Sequence, residues 1–141
     1  MKAWAATIGA SVAGGEYIEL IGDVGAGKTT FTKGLAVGMG IEDVVQSPTF
    51  TISRVYDGRD GLRLAHYDFY RLADPGIMAD ELSETLNDDK TVTVIEWGDI
   101  VSDVRPDDYL RVDIESPEET VRQVTLTAHG ERSKALMERL K

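Results

Sequence analysis

Nine consecutive residues, Gly22-Asp23-Val24-Gly25-Ala26-Gly27-Lys28-Thr29-Thr30, have the types and spacing needed to hold a phosphate chain. They fit the pattern G-x-x-x-x-G-K-[ST], with Gly22, Gly27, Lys28 and Thr29 at the fixed positions. A loop that turns its backbone N–H groups inward around an anion needs positive φ and close approach, which Gly25 and Gly27 supply without a Cβ. Lys28, read as a solvent-facing loop lysine, would reach the β- and γ-phosphates, and the Thr29 hydroxyl would ligate Mg²⁺. The plainer alternative, a glycine-rich turn between two elements, does not explain the lysine and threonine that follow.

A loop of this kind needs an acidic partner for the metal, commonly at the end of a buried strand beside its own. Two acids compete. Glu96 ends the apolar run Val92-Thr93-Val94-Ile95 and is the better candidate. Asp68 lies in an alternating strand among Tyr67, Phe69 and Tyr70, which places it at the edge of the site, as a water-mediated ligand or a group that orients water. Either carboxylate taken alone could be a solvated strand end. His66 reads as a structural strand histidine rather than a base.

Elements of the right kind surround these residues. Residues 17–21 form an apolar strand running into the loop, and Phe31, Leu35 and Met39 recur every four residues on the helix after it. That helix would aim its dipole and free N–H groups at the anion. Trp4, Ile8 and Val12 mark an N-terminal helix over residues 3–12, stopped by Gly14-Gly15. Trp4 reads as a core residue, or else as a stacking wall for a nucleobase. Residues 51–56 and 62–70 alternate around a turn-rich segment and form an antiparallel hairpin. A helix follows from Asp74 as cap candidate to residue 87, with Ile77, Leu82 and Leu86 apolar. Strands at 91–97, 109–114 and 121–127 and an amphipathic helix at 131–141 complete the chain. The pattern is α/β: a P-loop NTPase-like three-layer fold, its central sheet mixed and mostly parallel with antiparallel additions.

The 141 residues suit one domain, 1–141, large enough for a core. There is no cysteine, which excludes disulfides and thiol chemistry. No segment approaches a membrane span and the N-terminus leads into no signal-like core, so a soluble, cytoplasmic protein is expected. With 15 Lys and Arg against 25 Asp and Glu, the formal charge is −10. Free-standing nucleic-acid binding needs cations that neutralise phosphates, so any role near RNA would run through a partner.

Four stretches taken together resemble the TsaE family, formerly YjeE. They are Gly-Asp-Val-Gly-Ala-Gly-Lys-Thr-Thr-Phe at 22–31, Ser-Pro-Thr-Phe-Thr at 47–51, His-Tyr-Asp-Phe-Tyr-Arg-Leu at 66–72 and Ile-Glu-Trp at 95–97. The likeness runs from about Thr7 to Arg122. It implies an ATPase required for making threonylcarbamoyladenosine in tRNA, with ATP and Mg²⁺ as cofactors. It further implies Thr29 and Glu96 as metal ligands, and Lys28 with the loop backbone from Val24 through Gly25 and Ala26 to Thr30 as the phosphate cradle. Thr49 would lie in a switch-like loop near the γ-phosphate, and Asp68 would be needed for hydrolysis. Trp4, Thr7 and Arg122 would resemble the base-side contacts. The partners implied are the TsaB and TsaD subunits, with tRNA reached only through them. Two departures stand out: Gly98-Asp99 follows Ile-Glu-Trp where the family usually has Pro, and residues 78–84 replace a Gly-Leu-Glu-Glu-like stretch.

Two other nucleotide-binding classes fit the sequence less well. A small P-loop kinase lacks a recognisable second-substrate pocket or Arg-rich lid. A guanine-nucleotide switch lacks both an Asn-Lys-x-Asp base reader and an Asp-x-x-Gly switch.

Overall fold

The computed structural model describes residues 2–22, 27–43, 45, 53–69, 76–119 and 121–140, the side chains of Ile77 and Ile100 excepted. Ten regular elements follow one another: α1 (Lys2–Ser11), β1 (Tyr17–Ile21), α2 (Lys28–Gly38), β2 (Ser53–Asp57), β3 (Arg63–Asp68), α3 (Gly76–Leu86), β4 (Thr91–Glu96), β5 (Tyr109–Glu118), β6 (Val121–His129) and α4 (Glu131–Arg139). The strands make one sheet in the order β2-β3-β4-β1-β5-β6. β3, β4, β1 and β5 are mutually parallel, and the two outer strands are antiparallel additions.

Alternation along the strands divides the interior in two. Ile18 and Leu20 of β1, with Leu64, Val92 and Val94, pack under α1, α2 and α4. Tyr17, Ala65, Tyr67 and Ile95 face the other way, toward α3 and the 3-10 turn Gly98–Val104. The result is a three-layer α/β/α arrangement. Residues such as Phe31, Leu35, Leu64 and Val94 are fully buried, each stabilising by about 1.5–3 kcal/mol relative to exposure.

Several sequence expectations are refined here. The antiparallel hairpin and the C-terminal helix form, as β2 with β3 and as α4, while the strand expected over 91–97 ends at Glu96, because Trp97 turns out of it in a left-handed conformation. β5 and β6 run longer than expected, to Glu118 and from Val121 to His129, so their hairpin projects past the C-terminal end of β1. β3 is buried at all but its first residue. Its alternation in type does not mark a solvent face, because β3 is an interior strand between β2 and β4 with helices on either side. Asp68 therefore lies on an interior strand rather than at a sheet edge. Asp74, the proposed cap, lies outside the described residues.

β4 and β5 flank β1, yet the chain leaves β1 toward the β4 side and only later crosses to β5. In an open α/β sheet, that change of direction opens a crevice beyond the C-terminal ends of the strands, where ligands bind.

Candidate phosphate-binding site

Gly27 takes φ 109°, ψ 15° as the residue preceding α2, a left-handed conformation that a side chain would strain. It has no side-chain cap, so the first N–H groups of α2 lack intrahelical partners and face outward along the axis. Lys28 and Thr29 open the helix, and Thr29 is half-buried while Thr30 is exposed. Val24, Gly25, Ala26 and Thr49 lie outside the described residues.

Lys28 is not the solvent-facing residue expected. It is only 6% exposed. Its Nζ donates to the Gly22 carbonyl at 2.8 Å, stands 4.0 Å from Glu96 Oε1 and lies 4.3 Å from the centre of the Trp97 ring. The lysine is enclosed because β4 ends beside the loop and the chain turns sharply there: Trp97 is left-handed, φ 57° and ψ 48°. A non-glycine residue held in that region costs of order 1–3 kcal/mol, sustained only where the surroundings impose it. Here it lays the indole over the ammonium.

The acids come together as the register dictates. Asp68 is paired with Glu96 across β3 and β4, and Glu96 with Leu20 across β4 and β1. Residues paired across parallel strands share a face and stand about 4.8 Å apart. Both carboxylates therefore lie side by side on the α2 face, just below the helix start. Both are buried, at 6% and 4% exposed. His66, fully buried two residues before Asp68, bonds through Nε2 to Glu96 Oε2 at 2.6 Å.

On the other face of β1 a cleft of about 350 Å³ opens beside Lys28, lined in part by Glu19, Ile21, Trp97, Asp99 and Arg111. Glu19 is buried and accepts from Arg105 Nη1 at 3.0 Å, and Arg111 is held by the Asp113 carboxylate. Burial, reinforced by Glu19, pushes the neighbouring Tyr17 hydroxyl well above its ordinary value. A Cβ at Gly98 would come within 2.8 Å of Glu19 Oε1 and 2.9 Å of Ile95 Cγ2. A side chain at this position would crowd both groups, which favours glycine there.

The expected base-side residues are less closely gathered. Trp4 is 39% exposed rather than core, because it sits on the rim of the α1–α2 contact with its ring 6.1 Å from that of Phe31. This does bring the start of α1 beside the start of α2. The Thr7 hydroxyl is turned back onto the Trp4 carbonyl. Arg122 lies at the tip of the β5–β6 hairpin, donating to Ser116 Oγ and the Glu119 carbonyl, and no described contact joins it to Trp4 or Thr7.

Sequence reasoning missed two contacts: the bond from His66 to Glu96 and the position of Trp97 over Lys28. The first had a signal in the two-residue spacing of His66 and Asp68, which puts both on one strand face. The second had none, since a left-handed tryptophan cannot be read from a strand pattern.

Among the described residues no group of three or more His, Cys, Asp or Glu converges as a cage. The oxygen donors Thr29, Glu96 and Asp68 fit Mg²⁺, which keeps several waters and takes one or two carboxylates beside substrate phosphates. No helix among the described residues is long and apolar enough to cross a membrane.

The sequence pattern of the family described as "Threonylcarbamoyl adenosine biosynthesis protein TsaE" matches residues 1–124. Among curated proteins, the chain is 41% identical over 132 residues to tRNA threonylcarbamoyladenosine biosynthesis protein TsaE of Bacillus subtilis, covering 89% of this chain and 78% of that protein. It is 39% identical over 123 residues to the protein of the same description from Streptomyces coelicolor, covering 84% and 83%. Among solved structures, the crystal structure of YdiB from Bacillus subtilis superposes with a TM-score of 0.79 at 37% identity, over 99% of this chain and 85% of that one.

Proposed function

The chain belongs to the TsaE family, and from that membership we propose that it is a Mg²⁺-dependent ATPase that serves tRNA threonylcarbamoyladenosine formation by acting on the TsaB–TsaD pair. The observation that carries the ATPase reading is the position of Lys28. A buried ammonium stands at the start of a helix opened by left-handed Gly27, 4.0 Å from a carboxylate that ends the neighbouring parallel strand.

Each residue has a task in this reading. The free N–H groups of α2 and the loop from Gly22 bind the phosphate chain, and Lys28 leaves the Gly22 carbonyl to meet the terminal phosphates. Thr29 and Glu96 hold Mg²⁺, which when bound neutralises charge developing on the transferred phosphoryl group. Asp68, one strand over, orients the attacking water. Trp4, Thr7 and Arg122 serve the base side. Thr49 senses the γ-phosphate. All of this sits in one domain spanning 1–141.

The test begins with Lys28→Ala. Because Lys28 is enclosed, each assay is paired with thermal unfolding. The variant is expected to stay folded and to lose more than about 10²-fold in ATP hydrolysis, the scale of removing one preorganised electrostatic group. Wild-type hydrolysis in the variant overturns the reading. ATP displaced by GTP at equal concentration would point to a guanine-nucleotide protein instead. Phosphate released only with an added acceptor would point to a kinase.

A further inference from the structure

We propose that His66 is a positioning residue that fixes the Glu96 carboxylate in the one orientation useful to the metal. The inference deepens the ATPase reading and rests on it. The two residues are not register partners: His66 faces Val94, and Glu96 lies on the diagonal two residues farther along β4. A long side chain reaches a diagonal neighbour on the same face, and the contact is 2.6 Å between buried groups. An ionised carboxylate, the form that ligates a metal, can only accept, and with Glu96 in that form the hydrogen of this bond is on Nε2.

The remaining atoms show what that bond does. Among the described residues, His66 Nδ1 has no hydrogen-bond partner although it is buried. Burying a polar atom unpaired is unfavourable, so an apolar residue would serve packing better at this point. What the imidazole adds is the bond to Oε2. With Oε2 held, Oε1 is the oxygen turned toward Lys28, at 4.0 Å, and toward the start of α2. Glu96 thus keeps one oxygen for the protein and one for the site. Ligating carboxylates are commonly oriented by such outer hydrogen bonds, whose loss weakens metal affinity by about 10–100-fold.

The test uses the full chain with Mg²⁺ and ADP or ATP. Two quantities are measured: the Mg²⁺ dependence of ADP affinity by calorimetry, and the Mg²⁺ concentration giving half-maximal hydrolysis. His66→Leu is expected to raise both Mg²⁺ requirements by about 10–100-fold, while ADP affinity without Mg²⁺ stays near the wild-type value. His66→Gln, whose amide N–H can stand where Nε2–H stood, should recover most of the loss. His66→Leu in a Glu96→Gln background should add little further change. A purely structural histidine would lower thermal stability without moving the Mg²⁺ requirement, and that result overturns the proposal. If His66→Leu does not fold, His66→Gln is compared with His66→Asn, whose amide is too short to reach Glu96; equal Mg²⁺ requirements in the two overturn it as well. Wild-type protein whose ADP affinity ignores Mg²⁺ would overturn the metal reading itself, and is told apart by failing before any variant is made.

Discussion

Asp68 and Glu96 sit side by side on one sheet face, and their surroundings separate their roles. Glu96 stands between two donors, His66 Nε2 and the Lys28 ammonium. In Glu96→Gln, the amide can keep only one acceptor oxygen, so the variant loses the negative charge and one of the two oxygens that His66 and the site share. ATP should still bind, while hydrolysis falls by about 10²-fold or more and the Mg²⁺ requirement rises. Asp68→Asn should slow hydrolysis with little change in that requirement. A Mg²⁺ titration of both variants checks this, and metal affinity that follows Asp68 reverses the assignment. The start of α2 at Lys28 and the places of Asp68 and Glu96 at strand ends were legible from types and spacing alone, because a glycine-lysine step after an apolar run and a carboxylate closing a strand are local features. The enclosure of Lys28 was not, since it depends on Trp97 closing over it from β4.

The helices α1 and α2 approach one another closely. A Cβ on Gly38 would lie 2.0 Å from the Ala6 carbonyl oxygen, and one on Gly9 2.0 Å from that of Leu35. Helix propensity alone favours Gly38→Ala by about 1 kcal/mol. Overpacking costs about 1–3 kcal/mol, occasionally more, and here the obstacle is backbone that cannot rotate away. The clash should win, lowering the unfolding midpoint in a thermal melt by several degrees; a rise would show that α1 can slide. At the other end, Asp108 caps α4 from outside the helix, accepting from the backbone N–H of Arg132 and Ser133 and from the Ser133 hydroxyl. Partial burial works to raise its carboxyl, but these hydrogen bonds with the Arg132 charge outweigh it and hold the group below its ordinary 3.8. A lowered carboxylate contributes stability that is complete above the ordinary value and lost as pH falls through the lowered one. Asp108→Ala should therefore cost about 1 kcal/mol near neutral pH, and its difference from wild type should shrink in melts taken below pH 4. Periodicity made the elements legible, down to Phe31, Leu35 and Met39 on one buried face. It did not reveal that Gly34 and Gly38 form the seam against α1, nor that β3 is buried on both sides, because which face meets another element is decided only when the sheet assembles.

For the molecule as a whole, charge is the governing quantity. A chain with formal charge −10 is expected to bind tRNA poorly by itself, since such binding rests on Lys and Arg displacing counterions from phosphates. The projecting β5–β6 hairpin adds Glu115, Glu118 and Glu119 on the side of the phosphate site. In the proposed reading this acidic end faces a protein partner, and hydrolysis does conformational work on the TsaB–TsaD pair, with Thr49 passing the state of the γ-phosphate to the docking surface as an order–disorder switch. The isolated chain should then be a weak ATPase and should bind tRNA with a dissociation constant above about 10⁻⁴ M at physiological salt, weaker than ordinary non-specific binders. Adding the partner pair should raise ATP turnover by more than about tenfold, equivalent to roughly 1.4 kcal/mol off the barrier. Sustained, multi-turnover tRNA modification should disappear when Lys28→Ala replaces the wild-type chain in that mixture. Hydrolysis measured with and without the pair, alongside tRNA binding by the chain alone, decides the matter. Tight tRNA binding unaided, or turnover indifferent to the partners, would overturn the proposal that this chain works on the modifying complex.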